Sequence, residues 1–366
     1  MEGKKTALYD EHVRLGGKIV NYAGWLLPVQ YAGLIEEHNA VRQKLGVFDV
    51  SHMGEVWVTG KDAFDFVNHL ITNDLHAIED GQVQYNIMCY DNGGAVDDLL
   101  VYRYNQEKFF LVINAANVEK DFEWITKQAK NFDVKVENVS DQTSQIAVQG
   151  PLAQKAVQKL TDVDLDTIKF FHFVDGFELA GKKVLISRTG YTGEDGFEIY
   201  TDNDSIVHLY KEVLKAGEEF GIEPCGLGCR DTLRFEAMLP LYGHEISQDV
   251  SPVEGGLNFF VKLDQEADFI GKEALKKIKA DNKRILVGFE MIDKAIPREG
   301  YEIEKDGKKI GYVTTGYLSP TLGKKIGNAL IDASYKEMGA EFDVIIRGKA
   351  QKAKQISRKF LKEVKK

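Results

Sequence analysis

Three short stretches carry side chains whose types and spacing suit them to chemistry. In DNGGAVDDLLVYR (91–103), two adjacent aspartates, Asp97 and Asp98, open an apolar run. In GYTGEDGFEIY (190–200), Glu198 stands among aromatic residues behind a glycine-rich loop. In GLGCRDTLRFEA (226–237), Arg230 follows closely spaced glycines. A carboxylate near apolar surroundings is a proton acceptor or donor in waiting. A second carboxylate can accept two parallel hydrogen bonds from an amidine-like N–H pair, such as a 2-amino-4-oxopterin presents. An arginine at a helix start can reach an anionic or carbonyl group of a ligand. Each stretch also has a plainer reading: a buried turn, a hairpin with a polar face, and a helical charge ladder. In VSHMGEV, His52 is either a catalytic histidine or a hydrogen-bonded structural one, and Met53 either lines a pocket or fills core.

The elements around them set where they point. AVDDLLVY follows an Asn92-Gly93-Gly94 turn and has the character of a strand covered on both faces. Alternation puts Asp97 with Leu99 and Val101, and Asp98 with Leu100 and Tyr102. Likewise Glu198 and Tyr200 share one face, and Phe197 and Ile199 the other. Strand patterns fall at 55–59, 82–90, 96–104, 108–114, 144–149, 183–188, 197–201, 285–291, 310–317 and 341–347. Helical patterns fall at 34–44, 62–71, 118–131, 152–160, 205–220 and 271–278. The alternation is irregular, which predicts an α+β fold and not a doubly wound one. The pattern changes near Ser251-Pro252, after which strands dominate, so a β-rich C-terminal domain is expected.

Composition narrows the function. A chain of 366 residues points to two or three domains. No apolar run reaches the roughly 20 residues of a membrane span. MEGKKTALYDEH has no apolar core of a secretory signal, so a cytoplasmic protein, or the mature form of an imported one, is expected. Cys89, Cys225 and Cys229 make no disulfide framework and lack the partners of a zinc site; buried, reduced thiols are expected. The net charge of −10 argues against nucleic-acid binding. From Arg347 onward there are nine Lys/Arg and one Glu, a net of +8, leaving −18 on the preceding 346 residues. Such a tail is a solvated terminus or a docking site for an anionic partner. No Walker loop or strand–GxGxxG–helix unit supports nucleotide binding.

Taken together, the motifs resemble the aminomethyltransferase (T-protein) family of the glycine cleavage system. The similarity runs through TALYDEH (6–12), YAGWLLPVQY (22–31), EEHNAVRQKLGVFDVSHMGE (36–55), GGAVDDLLVYR (93–103) and VINAANVEKDFEWI (112–125). It continues in IAVQGP (146–151), GYTGEDGFEI (190–199), CGLGCRDTLRFEA (225–237), LYGHEISQDVSPVEGGL (241–257), DFIGKEAL (268–275) and SPTLG (319–323). The resemblance implies a three-domain cloverleaf with a central folate channel. Its discontinuous first domain would be 1–50 and 146–250, its inserted ferredoxin-like domain 51–145, and its β-barrel or jelly-roll-like domain 251–366. It implies transfer of a one-carbon unit from the aminomethyl-lipoyl arm of the H-protein to tetrahydrofolate, within a multienzyme system and without metal or nucleotide. The alternatives are a non-catalytic folate-binding accessory protein and a related folate-dependent transferase or demethylase. Carried over by position, Asp97 matches the catalytic acid, Glu198 the pterin-reading carboxylate and Arg230 a folate-contacting arginine. Asn114, Tyr191, Met53, Tyr102 and Tyr85 are expected to line the channel, and Lys362 to stand where an arginine meets the folate glutamate.

Overall fold

Alternating, β-branched segments become strands almost wherever the pattern predicts them, in a computed structural model that describes residues 2–363. The expected strands are found within two residues at either end, for instance Gly54–Thr59, Ala95–Asn105 and Gly196–Asp202. The expected helices are found as Leu34–Gln43, Ala63–Leu70, Val118–Gln128, Ala153–Gln158, Asn203–Gly217 and Lys272–Ala280. The fold is α+β, as expected. Contacts group it into two units: Met1–Val67 with Leu75–Tyr85 and Leu99–Leu233, and Asn68–Asp74 with Asn86–Asp98 and Arg234–Lys366.

The first unit holds one large sheet whole and most of a second. One is six-stranded, in the order Phe173–Leu179, Lys182–Ser187, Gly196–Asp202, Thr143–Gln149, Gly46–Asp49, Glu223–Cys225. Its pairs are antiparallel except the last. Ile146, Val148, Phe197 and Ile199 face a core with Ala156, Val157, Leu209 and Val213 of the helices Ala153–Gln158 and Asn203–Gly217. Alternation therefore turns Gln145, Ala147, Glu198 and Tyr200 to the opposite face.

The second sheet runs Gln82–Cys89, Ala95–Asn105, Lys108–Ile113, Gly54–Thr59, Lys135–Asn138. Its two faces differ sharply. Leu99 pairs with Ile113 and Val101 with Leu111, on the face where Phe109 meets Phe64 of the helix Ala63–Leu70. A Cβ on Gly54 would meet Val118 and Ile113 at 2.6 and 2.7 Å, so glycine lets the helix Val118–Gln128 lie close on that same face. The other face carries Leu100, Tyr102, Phe110 and Val112 into a cluster with Leu185 and Tyr200 of the six-stranded sheet. An aromatic layer thus lies between the two sheets.

The second unit contains a closed six-stranded barrel, Arg284–Met291, Lys325–Asp332, Lys308–Leu318, Glu302–Lys305, Glu341–Ile346, Lys349–Ile356. Val287, Phe289, Val313, Phe342, Val344 and Ala353 fill it. Its last strand, Lys349–Ile356, lies in the basic C-terminal segment, so those eight residues are not a loose terminus. Ala353 and Gln355 turn inward, and Lys352 and Lys354 outward. In the same unit Arg234 and Glu245, both nearly inaccessible, pair at 3.0 Å. Glu245 also accepts from Thr314, Thr315 and the Leu241 N–H. Arg234 then holds its carboxyl below the usual range against the opposing effect of burial. Glu245→Gln removes the charge that Arg234 meets at 3.0 Å in a buried setting and is expected to cost about 3–5 kcal/mol, read as a lowered urea midpoint.

Among the described residues, no helix is long and apolar enough to cross a membrane. All three cysteines are free and buried, as expected.

Candidate active site

Glu198 lies on the face of the six-stranded sheet turned away from the helical core, half-buried beside the aromatic layer. Gln145 donates to its Oε1 at 3.0 Å and Thr189 to its Oε2 at 2.5 Å. Burial pushes the carboxyl pKa up, and Thr189, the Arg230 charge and Gln145 oppose the rise. The loop before it is locked from two directions. Arg42 donates to the Thr192 carbonyl, the Glu194 carboxylate and the Leu233 carbonyl, tying the loop to the helix Leu227–Glu236. Gln149 donates to the Thr189 carbonyl and accepts from the Thr192 hydroxyl. A Cβ on Gly190 would stand 1.9 Å from the Gln149 Oε1, so a larger residue here would have to push the Gln149 amide off its hydrogen bonds to the loop.

A chain of hydroxyls ends on the same carboxylate. Tyr200 meets Tyr102 at 2.8 Å, Tyr102 meets Ser187 at 3.0 Å, and Ser187 meets Thr189 at 2.6 Å. The direction of every proton follows from its end. Thr189 gives its only hydroxyl hydrogen to Glu198, so Ser187 must donate to Thr189, Tyr102 to Ser187, and Tyr200 to Tyr102. All four hydroxyl protons are spent pointing toward Glu198. Burial raises the pKa of both tyrosines, so they stay protonated donors at neutral pH.

Arg230 stacks over the Tyr191 ring, 4.6 Å from its centroid, on the helix Leu227–Glu236. His52 is almost fully buried, and desolvation followed by the Arg230 charge pushes its pKa down to about 3. It is a neutral imidazole at physiological pH, not an acid. Met53 packs against both the aromatic cluster and the cluster around Phe48 and Cys225. Tyr85 shares its strand face with Val83, a member of the aromatic cluster. Asn114 continues the face of Val112 just beyond the strand Lys108–Ile113, with extended backbone. Glu198, Arg230, Tyr191, Met53, Tyr102, Tyr85 and Asn114 thus belong to one unit.

Asp97, Asp98 and Lys362 belong to the other unit. The hairpin tip turns as expected, with Gly93 at φ 86° and Gly94 N–H donating to Asn92. Both aspartates are buried, Asp97 completely. Along the strand Ala95–Asn105, Asp98 shares the face of Leu100 and Tyr102, and Asp97 the helix-covered face of Leu99 and Val101. Lys362 is exposed in the single turn Phe360–Glu363.

Gln145, Ser187 and Thr189 carry no functional mark in the sequence alone. They are neutral polar residues, and only their inward phase beside Glu198 marks them. The fold also gathers Glu37, Cys225 and Cys229, whose ligand atoms lie within 4.8 Å of one another. The Glu37 carboxylate accepts from the N–H groups of Tyr31, Gly33 and Gly226. The thiols face backbone carbonyls of Glu223 and Gly226. These contacts describe a loop-bracing acid beside two packed thiols.

The pairing of a mixed α+β unit bearing this polar face with a six-stranded barrel defines a recognisable class of protein. Residues 8–265 match the model of the GCVT N-terminal domain, and residues 284–362 that of the glycine cleavage T-protein C-terminal barrel domain. Aminomethyltransferase from Thermoanaerobacter pseudethanolicus is 55% identical over 361 residues, covering 98% of each chain. Its counterpart from Alkaliphilus oremlandii is 56% identical over 360 residues, again 98% of each. The crystal structure of glycine cleavage system aminomethyltransferase T from Bartonella henselae superposes with a TM-score of 0.91 at 30% identity, over 98% of both chains. The chain belongs to the glycine cleavage T-protein family, a family of aminomethyltransferases.

Proposed function

We propose that the chain transfers the one-carbon unit of an aminomethyl-lipoyl group, carried by an H-protein, to tetrahydrofolate. The products are 5,10-methylenetetrahydrofolate, ammonia and the dihydrolipoyl carrier. The observation that carries the folate part is the Glu198 carboxylate, held by Gln145 and Thr189 beside an aromatic layer. Such a group matches the N–H pair of a 2-amino-4-oxopterin. Arg230 over Tyr191, with Met53, Tyr85, Tyr102 and Asn114, supplies the flanking contacts, and Lys362 the contact with the folate glutamate. The partner is read from family membership, and the outward lysines of Lys349–Ile356 suit an acidic carrier. Cytoplasmic action alongside the other glycine cleavage components follows from the same reading.

In the reaction, folate N5 and N10 form bonds to the methylene carbon as its bonds to sulfur and nitrogen break. The two hydrogens lost from N5 and N10 end on the lipoyl sulfur and on the departing ammonia. A carboxylate near N5 accepts the first of them and steadies the developing positive charge. The sequence expectation gives this role to Asp97. Strand phase favours its neighbour, because Asp98 shares the face of Tyr102 and Asp97 the helix-covered face. We therefore assign the proton acceptor to Asp98 and a structural role to Asp97.

The test is ammonia release from aminomethylated H-protein with and without tetrahydrofolate. Acceleration of orders of magnitude by tetrahydrofolate is expected. Equal rates would leave a folate-binding accessory protein as the reading.

A further inference from the structure

Glu55 has no role in the chemistry above, yet its environment demands one. It is fully buried, and neither carboxyl oxygen has a hydrogen-bond partner. Its backbone is fixed: the Glu55 N–H donates to the Ser140 hydroxyl and its carbonyl accepts from the Val139 N–H. It pairs with Val112 and precedes Trp57 by two residues, both on the aromatic face shared with Tyr102 and Tyr200. Met53 precedes its strand and Asn114 follows the paired strand Lys108–Ile113, at the end nearest Glu55. An unsatisfied buried polar group costs roughly 1–3 kcal/mol, a burden that a bound ligand can relieve.

The hydrogen-bond inventory says what Glu55 has to offer. The hydroxyl protons of Tyr200, Tyr102, Ser187 and Thr189 are committed toward Glu198, and one Gln145 N–H goes there as well. The Gln145 Oε1 is a buried acceptor without a partner. The hydroxyl donors of this face are therefore committed, and two of its acceptors, the Glu55 carboxyl and the Gln145 Oε1, lack a partner. In a 2-amino-4-oxopterin, the N–H pair that a carboxylate reads is followed at once by the C4 carbonyl, which needs a donor.

We propose that Glu55 is a neutral carboxylic acid that donates a hydrogen bond to the C4 carbonyl of the bound pterin and so selects 4-oxo over 4-amino heterocycles. The proposal rests on the folate reading above. Desolvation raises the Glu55 pKa well above that of an ordinary carboxyl, consistent with a group that keeps its proton. A donor committed to one ligand atom discriminates strongly against an analogue that cannot accept there.

Tetrahydrofolate and tetrahydroaminopterin, handled anaerobically, differ at C4 and with it at N3, which carries a hydrogen only in the 4-oxo form, so Glu198 also contributes to telling them apart. Wild-type protein is expected to bind the first at least tenfold more tightly, measured by intrinsic fluorescence. Glu55→Met, similar in volume, should lose about tenfold in tetrahydrofolate affinity and little in tetrahydroaminopterin affinity, narrowing the ratio about tenfold and leaving the share that Glu198 supplies. Glu55→Gln, which keeps an N–H donor, should restore most of the discrimination. The ligand-free Glu55→Met protein should melt no lower than wild type, because an unsatisfied acid has been removed; this separates lost recognition from misfolding. An unchanged ratio in Glu55→Met overturns the proposal while the folate reading survives. Failure of wild type to bind either ligand overturns both.

Discussion

Asp98→Asn is expected to lower the rate of tetrahydrofolate-dependent transfer by about 10²–10⁴-fold while changing tetrahydrofolate affinity little. The substitution keeps the size of the side chain and removes its capacity to take a proton. Asp97→Asn is expected to act differently, lowering the thermal midpoint while retaining much of the turnover per folded molecule. The reason is the phase of one strand. Directly paired residues point the same way, so Leu99 with Ile113 and Val101 with Leu111 set the helix-covered face. Tyr102 and Leu100 set the other, which joins the aromatic layer beside Glu198. Adjacent carboxylates on one strand therefore cannot serve the same solvent-excluded site. Single-turnover kinetics of the two variants, each normalised to its folded fraction, decide between them. A fast Asp98→Asn and a slow Asp97→Asn would return the role to Asp97 and reverse the facial assignment.

That distinction shows how far the sequence can be read. Alternation alone separates Asp97 from Asp98, and Glu198 with Tyr200 from Phe197 with Ile199, because period 2 is a local property of strands. It does not say which face is the site. That depends on what covers each face, and the helices Ala63–Leu70 and Val118–Gln128 are placed by tertiary packing. Two of the strands that the pattern does not mark have local reasons. Trp25–Gln30 contains Pro28, which argues against a strand until its position in a small three-stranded sheet is known. Lys349–Ile356 alternates lysine with small or amide residues, so its inward face lacks the apolar mark of a core strand. Gln145, Ser187 and Thr189 were illegible for a related reason. A neutral polar residue at an inward position becomes meaningful only when the carboxylate it serves is known to lie beside it.

Glu198→Gln should raise the dissociation constant for tetrahydrofolate by roughly 10–150-fold, the value of one charge-assisted hydrogen bond of about 1.5–3 kcal/mol. The amide still fits between Gln145 and Thr189, but it offers one acceptor where the pterin N–H pair needs two. Turnover at saturating tetrahydrofolate should fall much less than affinity, since the group holds the acceptor and takes no proton. The pH dependence gives an independent check. Burial holds the Glu198 pKa above its ordinary value, so its protonation begins at a higher pH than for an exposed carboxylate. Affinity of the wild type should decline as pH falls through that raised pKa, and affinity of Glu198→Gln should not follow. Stability of the ligand-free protein runs the other way. A carboxyl whose folded pKa is raised contributes its stability below the unfolded pKa and loses it as pH rises through the folded one. The ionised Glu198 that binds pterin is therefore the form the empty fold tolerates least, and saturating tetrahydrofolate should raise the melting temperature more at neutral pH than in mild acid. A ligand-induced shift that grew on acidification would mean that the pterin is held by a protonated acid, and that Glu198 is not its reader.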